Sequence, residues 1–244
     1  MSYLRSFTAD GGSVATTAVV FPQAGAGCLR LHSVTEALPT GLNLLGVQLP
    51  GREDRLEDPP ANDLAEVVDR VGAELRGPAR SRSLVLLGLS LGALIAYEVA
   101  RKLELEGTAP RSLVVVAARS PEHWKSFPAA DPPWEELTAL MHPAVRDSES
   151  ARYAAATMRS DLRLMAGYRV PSAPLTSTSL LSVSGRRDDV ATTAQMLGWR
   201  DRSTDYQGHQ VIDTDHHEFM DQDVLTGLLS DIAFENAPRR VVRG

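Results

Sequence analysis

The sequence predicts an α/β protein: a mostly parallel central sheet with helices on both faces and a helical lid insertion. Three observations predict it. Short β-branched or leucine-rich runs alternate with stretches of helical periodicity along most of the chain. Two of those runs, "SLVLLG" (83–88) and "SLVVVAA" (112–118), are apolar on both faces, as buried parallel strands are. One long segment, residues 121–165, breaks the alternation.

The elements follow in order. "TAVVFP" (17–22) reads as a strand ended by Pro22, and "NLLGVQLP" (43–50) as a second ended by Pro50. "DLAEVVDRVGAEL" (63–75) places Leu64, Val67, Val68, Val71 and Leu75 on one helical stripe. Asp63 followed by Glu66 suggests a capping box at its start. The strand 83–88 leads into a helix over 91–107 that stops at Gly107, a natural residue for a left-handed helix end. After the strand 112–118 come "STSLLSVSG" (177–185) and "STDYQGHQVI" (203–212), both read as strands. "DVLTGLLSDIAF" (223–234) closes as a helix with Val224, Leu225, Leu228, Leu229 and Ile232 inward. Residues 121–165 carry Pro121, Pro128, Pro132, Pro133 and Pro143, and also Trp124, Phe127, Trp134, Met141 and Met158. This composition suggests a lid over the carboxyl edge of the sheet. The expected division is a core of residues 1–120 and 166–244 with the lid between.

Composition narrows the function. The chain has 244 residues, enough for one large core, and 43% of them are hydrophobic. A net charge of −6 argues against nucleic-acid binding. The single cysteine, Cys28, excludes an internal disulfide framework and a cysteine zinc cage, and fits a cytoplasmic protein. No signal-like segment opens the sequence, and the longest uncharged apolar stretch, Leu84–Tyr97, is too short for a membrane helix. No membrane association, metal or cofactor is expected, and a monomer is favoured.

The chemistry begins at Gly88-Leu89-Ser90-Leu91-Gly92, a G-x-S-x-G between a buried strand and an apolar helix. A nucleophilic serine needs such a tight turn, with small neighbours that let strand and helix approach. A serine also needs a base, and the base an orienting acid. "GRRDDV" offers Asp188 or Asp189 after one strand, with Asp188 preferred as the third residue after Gly185. "DTDHHEFM" offers His216 and His217 before the last helix; being adjacent, only one can meet Ser90. Two adjacent histidines with no third ligand do not suggest a metal site. His32, His123, His142 and His209 stand alone. "FPQAGAG" (21–27) lacks the third glycine of a dinucleotide fingerprint. It suits an oxyanion hole, with the Ala24 N–H joining that of Leu91.

Four blocks, in order, resemble the type II thioesterases that accompany modular polyketide synthases and nonribosomal peptide synthetases. "FPQAGAG" is similar to that family's F-P-x-A-G block. "VQLPGREDR" (47–55) is close to its most distinctive block. "LLGLSLGALIAYEVARKLE" resembles its elbow and helix, and "MRSDLRLMAGYRV" (158–170) its R-a-D segment. The likeness spans most of residues 17–232. It implies an α/β-hydrolase that releases acyl groups from the phosphopantetheine arm of acyl or peptidyl carrier proteins through an acyl-serine. Carried over residue by residue, it implies Ser90 as nucleophile, Asp188 as acid and His217 as base. Gln23, Leu89, Trp124, Phe127, Met141 and Met158 are then expected around the acyl group. The sequence departs from the family pattern at Gln23, Leu89, Leu91, Asp215, His216 and Glu218. A thioesterase-like cyclase or acyltransferase is the alternative, and a non-catalytic partner of carrier proteins the second.

Overall fold

A computed structural model describes residues 2–8, 15–81, 83–126 and 132–234. Seven strands form one sheet: β1 (Leu4–Ser6), β2 (Thr16–Phe21), β3 (Leu42–Val47), β4 (Ser83–Leu89), β5 (Ser112–Val116), β6 (Ser179–Gly185) and β7 (Tyr206–Ile212). Their order is β1-β3-β2-β4-β5-β6-β7. Every neighbouring pair is parallel except β1 with β3. The sequence analysis did not anticipate β1, whose three residues are too few for a periodic signal. They pair only with β3 at the sheet edge, where Leu4 meets Val47.

β2 and β5 are buried along their whole length and β4 along all but its first residue, and the strand side chains alternate between two apolar layers. Val19, Phe21, Leu84 and Leu86 pack beneath α1 (Leu64–Ser81) and α2 (Leu91–Leu105). Ala18, Val20, Val85, Leu87 and Leu89 pack on the other face, against α7 (Gln222–Phe234) and a 3₁₀ segment, Leu29–Ala37. This is the doubly covered parallel sheet that the apolar strands require.

The helix ends show what local sequence can and cannot specify. Asp63 does cap α1, accepting the Ala65 N–H at 2.8 Å. Glu66 does not reach back; it pairs with Arg70 one turn on, at 2.9 Å, so the expected box is half made. The helix runs on past residue 75 to Ser81, with Pro78 near its carboxyl end, where one missing N–H is tolerated. α2 stops at Gly107, whose φ is +71°, and the Thr108 N–H returns to the Leu103 carbonyl at 2.8 Å.

In the segment expected as a lid, the described residues are helical. They form a 3₁₀ turn, Pro121–Ser126, then α3 (Trp134–Ala139), α4 (Pro143–Arg146) and α5 (Ala151–Arg163). Ala155, Met158 and Leu162 of α5 join the same apolar cluster as α2. A short α6 (Thr193–Met196) follows β6, closed by a capping box between Thr192 and Gln195.

Candidate active site

Ser90 stands between β4 and α2 with φ 52° and ψ −120°. That backbone is costly for a residue with a Cβ, about 1–3 kcal/mol, and persists only where its surroundings impose it. They do so here. The Ser90 N–H donates to the Val116 carbonyl at 2.9 Å. A Cβ on Gly88 would lie 2.3 Å from Ala93 Cα, and one on Gly92 would lie 2.1 Å from the Phe21 carbonyl oxygen. Both glycines are therefore set by contact, as the G-x-S-x-G spacing suggested.

Asp188 is buried on the loop after β6. Its Oδ1 accepts the N–H groups of Val190 and Ala191 at 2.9 and 2.7 Å. Its Oδ2 accepts from His216 Nδ1 at 2.9 Å. The expected partner, His217, is not the one that meets the acid. The reason is local. Asp215 accepts the N–H groups of His217 and Glu218 at 2.8 and 3.1 Å. Glu218 accepts the Asp215 N–H at 2.9 Å and the Thr214 hydroxyl at 3.0 Å. This reciprocal clasp is a capping box over "DHHE", and it sets the turn so that His216 points inward. Burial works to raise the Asp215 carboxyl, but the two backbone donors outweigh it and hold the group below the usual carboxylate range. The loop is also strapped to the acid loop. The Arg187 N–H bonds the Thr214 carbonyl at 3.1 Å, and its guanidinium bonds Glu218 at 2.8 Å. The D-x-x-E spacing was visible in the sequence, but it does not by itself say which of the two rings faces the acid.

With Asp188 as a carboxylate, Nδ1 of His216 is the donor and Nε2 keeps its lone pair. Asp189, the other candidate acid, plays no part in this pair. His217 lies half-buried beside His216, their rings edge to face at 5.6 Å. Its other neighbour is His142 of the helical segment, at 5.7 Å. Burial, then the neighbouring His216, pushes the His217 imidazole below its ordinary pKa.

Ser90, His216 and His217 line one cavity of about 410 Å³. Its walls include Gln23, Ala24, Leu91, Trp124, Met141 and Met158, all expected at the site. Leu89 does not line it. Adjacent residues of a strand point to opposite faces, so Leu89 is buried in the layer with Leu87, Val116 and Phe219. Phe127 lies outside the described residues. Among the described residues, neither the Ala24 nor the Leu91 amide has a protein acceptor. Leu91 is the first residue of α2, where such free N–H groups are inherent to a helix. Arg119 is a wall residue the sequence analysis did not single out. Its Nε donates to the Val190 carbonyl at 2.8 Å and so ties the cavity to the acid loop.

A serine on a strained strand–helix turn, a histidine held by a buried carboxylate and two free amides can together perform acyl transfer. The family model described as "Thioesterase domain" matches residues 16–234. The chain belongs to the thioesterase family. It has the family's α/β-hydrolase fold. A probable cadicidin biosynthesis thioesterase of Streptomyces griseus is 27% identical over 88% of this chain and 63% of its own length. The chain thus spans slightly less than two thirds of that relative. The thioesterase PikA5 of Streptomyces venezuelae is 30% identical over 75% of this chain and 68% of its own. Among solved structures, the type II thioesterase BorB from the borrelidin biosynthetic cluster superposes with a TM-score of 0.79. It is 25% identical, and the match covers 94% of this chain and 96% of that one.

Proposed function

We propose that the protein hydrolyses acyl groups held as thioesters on the phosphopantetheine arm of acyl or peptidyl carrier proteins. Its duty would be editing or release in polyketide or nonribosomal peptide assembly. The observation that carries this reading is the His216–Asp188 pair opening onto the same cavity as Ser90 and the two free amides. The names of the relatives support the pathway.

Nε2 of His216 takes the Ser90 proton as Oγ attacks the thioester carbonyl. Asp188 holds the imidazole in its tautomer and stabilises the imidazolium. The Ala24 and Leu91 amides receive the oxyanion. His216 then gives its proton to the departing thiolate, leaving an acyl-serine. Water, deprotonated by His216, attacks that ester; the bond to Ser90 Oγ breaks as His216 returns the proton to it, and the free acid leaves. The apolar wall of Trp124, Met141 and Met158 receives the acyl chain. No cofactor enters these steps.

The test is turnover of an acyl-pantetheine thioester or an acylated carrier protein. The wild type releases free acid and Ser90→Ala does not; intact mass shows an acyl adduct on Ser90 in the wild type. Undiminished release by Ser90→Ala rejects the reading, and a cyclised or transferred product redirects it to the alternative chemistry.

A further inference from the structure

Two of the four resembling sequence blocks, around Arg52 and Asp161, contribute nothing to the triad. The fold brings them together, 109 residues apart. Both side chains are almost wholly buried, at 3% and 4% exposure. The guanidinium grips the carboxylate at both oxygens, with Nη1 to Oδ2 at 2.6 Å. A buried ion pair is a poor source of stability, because desolvation consumes most of the Coulombic gain. Its partners suggest another use. The same Oδ2 accepts the Gly25 N–H at 2.7 Å, and the same Nη1 donates to the Ala26 carbonyl at 3.1 Å.

Those two residues are half of a turn that carries the oxyanion amide. The Ala26 N–H closes it onto the Gln23 carbonyl at 3.1 Å, with Gly25 at φ +78°. The Gln23 carbonyl and the Ala24 N–H belong to one planar peptide. Fixing the turn at Gly25 and Ala26 therefore fixes the direction of the Ala24 N–H. With the Gly25 and Ala26 N–H groups engaged, the Ala24 N–H beside them has no protein acceptor among the described residues. α5 is held against this loop at a second point: a Cβ on Gly25 would lie 3.1 Å from Met158 Cβ, one turn before Asp161.

We propose that Arg52 and Asp161 are positioning residues that aim the Ala24 amide at the developing oxyanion, and that α5 is thereby the fixed buttress of the oxyanion hole. This rests on the reading of Ala24 as an oxyanion donor, and the experiment separates the two. Asp161→Asn and the paired apolar replacement Arg52→Met with Asp161→Leu are compared with the wild type and with Ser90→Ala. Removing an oxyanion donor costs about 10²–10³-fold in kcat, so misaiming one should cost about 10–100-fold. In both variants kcat falls by that factor with KM unchanged. Affinity for a trifluoromethyl ketone analogue, which forms a tetrahedral adduct on Ser90, weakens in proportion. Substrate affinity measured in the Ser90→Ala background does not move. In the wild type the Gly25 amide exchanges with solvent as slowly as the buried amides of α5. The proposal is overturned by a wild-type kcat in the paired variant, by a loss confined to KM, by unchanged analogue affinity, or by Gly25 exchange at the rate of a free loop amide. Turnover surviving Ser90→Ala overturns instead the reading of the site itself.

Discussion

At single residues, the site depends on what is absent as much as on what reacts. The space at Gly92 is set by the Phe21 carbonyl oxygen, 2.1 Å from where a Cβ would stand. Gly92→Ala must push α2 away from β2, at a cost of about 1–3 kcal/mol. A lower urea midpoint together with lost turnover is the expected result, and an unshifted midpoint would contradict the packing. The histidines give a sharper prediction. His216→Ala lowers kcat by about 10⁶-fold, the scale of losing the catalytic histidine of a triad. His217→Ala keeps most of the activity, because its ring has no hydrogen bond to Asp188. The reverse outcome in steady-state assays would return the base to His217. The adjacent pair could not be ranked from the triad spacing alone. The rank came from a clasp between Asp215 and Glu218, two residues that react with nothing.

At the scale of elements, the helical segment after β5 does two separate jobs. α5 is packed into the core through Ala155, Met158 and Leu162, and its Asp161 accepts the Gly25 N–H. The residues between α3 and α4, with Val145, form part of the cavity wall. Leu140 lies there, partly buried. A larger side chain at that position should shorten the acyl group accepted without disturbing the triad. Leu140→Trp is expected to cut kcat/KM for a long-chain acyl thioester by about tenfold or more and to leave acetyl turnover near wild type. An equal loss for both chain lengths would place the acyl group elsewhere. The strands and long helices were legible because their periodicity is repeated over many residues. β1 and α6 were not, being three and four residues long.

For the molecule as a whole, burial of imidazoles ties stability to pH. Burial holds both His217 and His209 below the ordinary pKa of a histidine. The unfolded chain therefore takes up protons first as the pH falls through about 6.5. Stability is complete above that value and is lost progressively as the pH drops toward the lower folded values. His217→Phe removes one of these groups. Its unfolding midpoint, followed in urea between about pH 7.5 and pH 5.5, should fall less steeply than that of the wild type. A slope equal to the wild type's would show that His217 takes no part. Among the described residues no helix is long and apolar enough to cross a membrane, and no cluster of His, Cys, Asp and Glu could hold a metal ion.

The sequence by itself determined the alternation of strands and helices, the Gly-x-Ser-x-Gly turn and the presence of an acid and a histidine in the order that an α/β-hydrolase needs. These are local patterns, and local sterics and hydrophobic periodicity are written in adjacent residues. Only the tertiary structure decided which histidine meets Asp188. It alone placed Arg52 and Asp161 together against the turn at Gly25 and Ala26. Those outcomes depend on the direction of side chains across 28 to 109 residues of intervening chain. Such directions are fixed by packing and by hydrogen bonds between distant loops, which no local pattern carries.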